Sequence, residues 1–135
     1  MITKFNLFEK TNIKSIEINV KNIDNVLIDK LIKELSIVKK KRFKKRTNRP
    51  LSINGHFNKE ELGKKCTKLS IDMSNGDFIE AEHTITENEN NIKITINEET
   101  IYDLNNDLYT DEIMIDRIYK LYKSYLKGNK WKLVN

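Results

Sequence analysis

Leu69, Ile71 and Met73 alternate with polar residues, and Ile79, Ala81 and Ile85 do so again after the short break Ser74-Asn75-Gly76. Successive side chains of a strand point to opposite faces, so each run reads as a strand with one apolar face. No other feature constrains the fold as much, because the break dictates the register. A two-residue loop at Asn75-Gly76 would pair Met73 with Phe78 and set Leu69 and Ile71 against Glu82 and Glu80. A three-residue loop pairs Met73 with Asp77 and Ile71 with Ile79, and puts Gly76 at the left-handed position of a type I turn with a bulge. The second loop keeps the apolar residues together on one face. The spacing therefore predicts strands at 67–73 and 77–86. Glu87-Asn88-Glu89-Asn90 then closes a further hairpin onto Ile92, Ile94 and Ile96.

The flanks fill in around this meander. Phe5 and Leu7, then Ile16, Ile18 and Val20, alternate about Lys10-Thr11-Asn12, which predicts an N-terminal hairpin. Asn22 is the candidate N-cap of a helix over 22–38, with Ile23, Val26, Leu27, Leu31, Leu35 and Val38 at helical spacing and Ile28 and Ile32 widening the stripe. Leu51 and Ile53 suggest a short strand closed by Asn54-Gly55. Asn58-Lys59-Glu60-Glu61 resembles a capping box and Gly63 a helix stop, which predicts one or two helical turns. Tyr102, Leu104 and Leu108 suggest a packed connection or a short helix. Thr110 caps a helix to 127, with Asp111 and Glu112 in its first turn, Lys127 in its last and Gly128 beyond it. Met114, Ile118, Leu121, Tyr122 and Tyr125 form its apolar stripe, and Trp131 and Leu133 are expected to dock the tail. The expected fold is α+β: a mainly antiparallel sheet, N-terminal hairpin plus central meander, with the two main helices packed on one face. At 135 residues the expectation is a single domain over 1–135.

Charge divides the chain into three blocks. Residues 1–68 hold eighteen cations and seven acids, residues 69–116 hold thirteen acids and Lys93, and residues 117–135 hold six cations and no acid. The net charge is only +5, yet Lys39, Lys40, Lys41, Arg42, Lys44, Lys45, Arg46 and Arg49 put eight cations within eleven residues. Such a cluster suits phosphate, because each neutralised phosphate releases condensed counterions. Phe43 lies within the run and is placed to stack on a base. The run either extends the first helix or forms a loop ended by Pro50. In a nucleated cell it would also read as a nuclear localisation signal. Near the C-terminus, Tyr119, Tyr122 and Tyr125 interleave with lysines, but the tyrosines follow the apolar stripe, so core packing is their expected role. Lys130, Trp131 and Lys132 are kept as a further nucleic-acid contact.

Enzymatic chemistry finds little to stand on. The carboxylates of Glu80-Ala81-Glu82-His83 have no following Lys of a metal-dependent nuclease. His83 shares the apolar face of Ile79 and Ala81, and His56 stands alone in a turn beside Phe57. Cys66 is the sole cysteine, so neither a disulfide nor a zinc spacing is available, and nothing local joins it to a histidine. Neither GxxxxGK[ST] nor GxGxxG occurs. No metal and no cofactor is implied. The first residues lack a signal-peptide pattern and no apolar stretch reaches transmembrane length, so a cytoplasmic location without membrane contact is expected.

The expected function is non-catalytic binding of nucleic acid or another polyanion through 39–49. The alternative is a small inhibitor of one protein partner, such as an immunity protein, an antitoxin or a phage-encoded blocker of a defence enzyme. That alternative would use an acidic sheet face of Asp72, Asp77, Glu80, Glu82, Glu87 and Glu89 as a mimic of a phosphate backbone.

Overall fold

The computed structural model describes residues 3–6, 15–41 and 44–128. The strands are β1 (Thr3–Asn6), β2 (Ser15–Lys21), β3 (Ile37–Lys41), β4 (Lys44–Asn48), β5 (Pro50–Glu61), β6 (Lys64–Met73), β7 (Phe78–Ile85), β8 (Asn90–Ile96) and β9 (Glu99–Asn105). The helices are α1 (Asn25–Leu35) and α2 (Asp111–Leu126). Seven strands form one sheet in the order β1-β2-β5-β6-β7-β8-β9, and β3 and β4 form a separate two-stranded ribbon. Every pairing is antiparallel except β2 with β5. Parallel neighbours need a long crossover, and α1 followed by the ribbon supplies it.

One face of the sheet is apolar across its width. Ile18 lies beside Ile53, Ile53 beside Ile71, Ile71 beside Ile79 and Ile79 beside Ile96. These residues are buried in one cluster with Ile28, Leu31, Ile32 and Leu35 of α1 and Met114, Ile115, Ile118, Leu121 and Tyr122 of α2. Each such side chain removed from water contributes roughly 1.5–3 kcal/mol. The helices touch each other, and α2 also touches β7 and β8.

The central meander has the register expected from its apolar pattern. Ile71 lies opposite Ile79, the Met73 amide donates to the Asp77 carbonyl, and Gly76 takes φ +96° in the three-residue loop. Helix α2 begins after Thr110, whose hydroxyl accepts from the Ile113 amide, and Gly128 follows it at φ +78°. β1 and β2 pair with Phe5 opposite Ile16, while Leu7 and the turn expected at Lys10-Thr11-Asn12 lie outside the described residues. Trp131 and Leu133 lie outside them too.

Four expectations need correction. Helix α1 is shorter than 22–38, because Asp24 is its cap and accepts from the Leu27 amide at 3.1 Å. Asn22 instead takes φ +53° and donates to the Phe57 carbonyl, and Val38 belongs to β3. The strand at Leu51 and Ile53 does not close at Asn54-Gly55; β5 runs on to Glu61. The helical turns expected at 58–63 are strand, and Leu62-Gly63 is a two-residue hairpin turn with both φ positive, joining Glu61 to its partner Lys64. Burying Phe57 in the core outweighs the local capping signal of Asn58–Glu61. Finally, 99–105 is strand β9, reached through Asn97-Glu98, both at positive φ. A bulge opposite Ile94 and Thr95 lets adjacent Ile101 and Tyr102 both be buried, which breaks the alternation by which strands are recognised.

A buried polar joint ties the sheet to the start of α2. His83 is 3% exposed, with Nδ1 2.7 Å from Asp111 Oδ1 and Nε2 2.7 Å from Asn90 Oδ1. The amide nitrogen of Asn90 donates to the carbonyls of Asp107 and Tyr109, so its oxygen can only accept from the ring. The Asp111 carboxylate also accepts from the Thr67 hydroxyl. Both ring nitrogens therefore donate, and His83 is held as an imidazolium. Burial pushes its pKa down, but the hydrogen bonds to Asp111 and Asn90 outweigh burial and the nearby Lys65, and the net direction is upward.

Two consequences can be measured. A histidine whose folded pKa is raised contributes stability that is complete below its unfolded pKa of about 6.5 and is lost as pH rises through the folded value. The unfolding midpoint of the wild type should therefore exceed that of His83→Gln most at acidic pH, with the gap narrowing on the alkaline side. A pH-independent gap would remove the imidazolium assignment. Separately, Gly55 sits between β2 and β6 at φ +144°, and a Cβ there would lie 1.9 Å from the Lys68 carbonyl oxygen. Gly55→Ala should cost on the order of 3 kcal/mol in denaturant unfolding.

Candidate functional site

Where it is described, the cation run is neither a helix extension nor a loop. It is a β-ribbon. β3 and β4 pair Ile37 with Asn48, Val38 with Thr47, Lys39 with Arg46, Lys40 with Lys45 and Lys41 with Lys44. Arg42 and Phe43, between Lys41 and Lys44, lie outside the described residues, as do Lys130, Trp131 and Lys132. Paired residues of an antiparallel ladder share a face. Lys39, Lys41, Lys44 and Arg46 thus fall on one face, and Lys40 and Lys45 on the other. Three successive cross-strand pairs are cation against cation. Like charges directly opposite each other destabilise a strand pair, and a lone two-stranded hairpin is marginal in water.

The root of the ribbon explains how it persists. Asn48 Nδ2 donates to the Tyr122 hydroxyl at 2.7 Å, and that hydroxyl donates to Asp77 Oδ2 at 2.7 Å. Asn48 Oδ1 accepts from the Ser74 hydroxyl and the Asn75 amide, both at 3.2 Å. Next along the chain, Arg49 exchanges two bonds with Ser74: its amide donates to the Ser74 hydroxyl, and its carbonyl accepts from the Ser74 amide at 2.8 Å. The base of the ribbon is thereby fixed to the β6–β7 turn and to α2. Asp77 is central to the joint. Burial pushes its pKa up, but bonds from Asn97, Tyr122 and Asn75 outweigh burial and hold it below the usual carboxylate range. Burial and then Asp77 push the Tyr122 hydroxyl up, which keeps it a donor.

The other sequence candidates lie along the sheet and on α2. Glu80 and Glu82 share the open face of the sheet, but Glu82 lies between Lys68 and Lys93 in the ladder. Asp72 accepts from the Ser52 hydroxyl, Asp77 is absorbed in the ribbon joint, and Glu87 and Glu89 sit in the loop at the opposite end of β7. Asp72, Glu80 and Glu82 thus share the open face of β6 and β7, with Lys68 and Lys93 beside Glu82. On α2, Tyr122 is buried, Lys120 pairs with Asp116 at 2.9 Å and Lys123 with Glu34 at 3.2 Å, so this aromatic-basic stretch is engaged in the fold.

One contact was not visible in the sequence. The β5–β6 hairpin brings His56 to Cys66, with His56 Nδ1 3.2 Å from the Cys66 carbonyl oxygen. The ring thus meets the backbone rather than the thiol. Burial first, and then Glu82, push the Cys66 thiol up, which disfavours the thiolate a nucleophile requires. Among the described residues no group of three or more His, Cys, Asp or Glu is placed to hold a metal ion. Among them, too, no helix is long and apolar enough to cross a membrane. Comparisons with known protein families, with curated proteins and with solved structures found no match for this chain.

The joint at Asn48 makes a direct prediction. Tyr122→Phe keeps the ring in the core but removes one of the donors to Asp77 and the acceptor of the Asn48 side-chain amide, which should cost roughly 1–3 kcal/mol. Amide hydrogen exchange should quicken through β3 and β4 more than through β7 and β8. Uniform quickening across the sheet would show that the hydroxyl does not anchor the ribbon.

Proposed function

We propose that this chain is a non-catalytic nucleic-acid-binding protein whose ribbon β3–β4 contacts phosphate groups. The observation that carries the reading is the ladder of like-charge pairs, Lys39 with Arg46, Lys40 with Lys45 and Lys41 with Lys44. In water this ladder opposes its own formation. Against a phosphate backbone the same charges release counterions and the repulsion is relieved. The stability given up in the free protein is thus recovered on binding, as in other sites where activity and stability trade against each other. Contacts of this kind position a protein on nucleic acid and carry little sequence information.

The inhibitor reading draws less support. Its acidic residues are spread over both ends and the middle of the sheet, and Lys68 and Lys93 flank Glu82.

The test is binding of the purified chain to labelled DNA and RNA across a salt series, with wild type and the double variant Lys40→Glu/Arg46→Glu. Affinity should drop steeply with salt for the wild type, and the variant's log–log slope should be shallower by about 0.9 per lost phosphate contact. The same variant turns two repulsive pairs into attractive ones, so the ribbon should gain roughly 0.2–1 kcal/mol per pair, read as slower amide exchange. Opposite signs for binding and stability are the expected signature. Equal affinity of variant and wild type for every polymer would sink the reading.

A further inference from the structure

We infer that His83 and Asn90 form a proton-operated latch on the connection 106–110, and that loss of the ring proton turns the Asn90 amide over and releases that connection from the sheet. The latch is independent of nucleic-acid binding. It rests on the direction of every hydrogen bond at one buried joint.

Asn90 faces two ways. Its side-chain oxygen accepts from His83 Nε2 at 2.7 Å, and its amide nitrogen donates to the Asp107 and Tyr109 carbonyls at 3.3 and 3.1 Å. On the far side of the ring, Nδ1 lies 2.7 Å from Asp111 Oδ1, while Asp111 Oδ2 accepts from the Thr67 hydroxyl. Only an imidazolium donates at both nitrogens. Burial and Lys65 of β6 oppose its charge, and the bonds to Asp111 and Asn90 and the Asp111 carboxylate itself favour it. The ladder neighbours of His83, Thr67 on β6 and Ile92 on β8, carry no charge.

A neutral ring has one donor for two acceptors. The bond to the Asp111 carboxylate is charge-assisted and therefore the stronger, so the remaining proton stays on Nδ1. The lone pair of Nε2 then faces the lone pairs of Asn90 Oδ1. Turning the Asn90 amide over relieves this contact, because its nitrogen now donates to Nε2. The Asp107 and Tyr109 carbonyls lose their donor in exchange. His83 is 3% exposed, so no water can serve Nε2, whereas Asp107 is exposed and water can replace the donor there. The asymmetry favours the turned amide. The connection leads directly into Thr110, the cap of α2, so the latch sets how firmly the start of that helix is seated. Release belongs to the alkaline side, as pH rises through the raised folded pKa of the ring.

Nuclear magnetic resonance of the full chain across pH tests this. The ring nitrogen shifts of His83 report its proton, and the side-chain amide signals of Asn90 report the turning. Both should change with one midpoint. Protection of the Tyr109 amide, corrected for the intrinsic exchange rate, should fall about tenfold over the same interval, the equivalent of one or two neutral hydrogen bonds. Protection in β7 and β8 should hold. In Asn90→Asp the side chain keeps an acceptor for the ring but has no donor for the carbonyls, so Tyr109 should be weakly protected already at acidic pH and show no step. A wild-type ring that stays charged until the fold melts, Asn90 signals indifferent to the ring proton, or Tyr109 protection that falls only together with β7 and β8 would each overturn the latch. These three readings come from the wild type and need no variant to fold.

Discussion

The hydrogen-bonded joint of Asn48, Tyr122 and Asp77 is the contact on which the rest of this architecture depends. Three elements distant in sequence meet there: the root of the ribbon, the middle of α2 and the β6–β7 turn. A buried tyrosine hydroxyl must find an acceptor, and the carboxylate of Asp77 supplies one. Asn48 then offers both its donor and its acceptor to the same cluster. The joint is polar and sits at the end of an apolar core, so it contributes direction more than burial. It determines where the ribbon leaves the body, which hydrophobic packing alone would leave loosely specified.

Charge in this chain is organised by backbone pairing as much as by composition. The same ladder geometry that sets Lys against Lys in the ribbon sets Glu82 between Lys68 and Lys93 on the sheet. In the sheet, cross-strand neighbours neutralise each other. In the ribbon they add. A net charge of +5 conceals this difference, because it does not record how charges face one another across two strands.

The parts of the fold that were legible in the sequence are those where local and global signals agree. Thr110, Asp111 and Gly128 mark α2 at both ends, and the apolar register of β6 and β7 selects its own loop. The parts that were not legible are those where they conflict. Val38 continues the helical spacing of Leu31 and Leu35, so the helix reads on into β3. Leu62, Asn97 and Glu98 occupy positive φ in tight turns, where only Asn is a recognised signal among the three. Lysine-rich strands carry neither the branched residues nor the alternation by which strands are found, and so the cation run gave its charge away but not its shape. The contact residue Asn48 carried no sequence signal, since its partners lie 26 to 74 positions away.

The placement of the ribbon inside the β2–β5 crossover has an evolutionary implication. The chain leaves the sheet at Lys21 and returns at Pro50, and no strand pairing of the seven-stranded sheet involves the residues between. Within that interval α1 supplies core residues, but insertions, deletions and charge changes after Ser36 leave the sheet's hydrogen-bond ladder intact, provided Asn48 and Arg49 remain to seat the root. The sheet and the ribbon are therefore separable units of variation, and lineages carrying this scaffold would diversify fastest between Ser36 and Asn48.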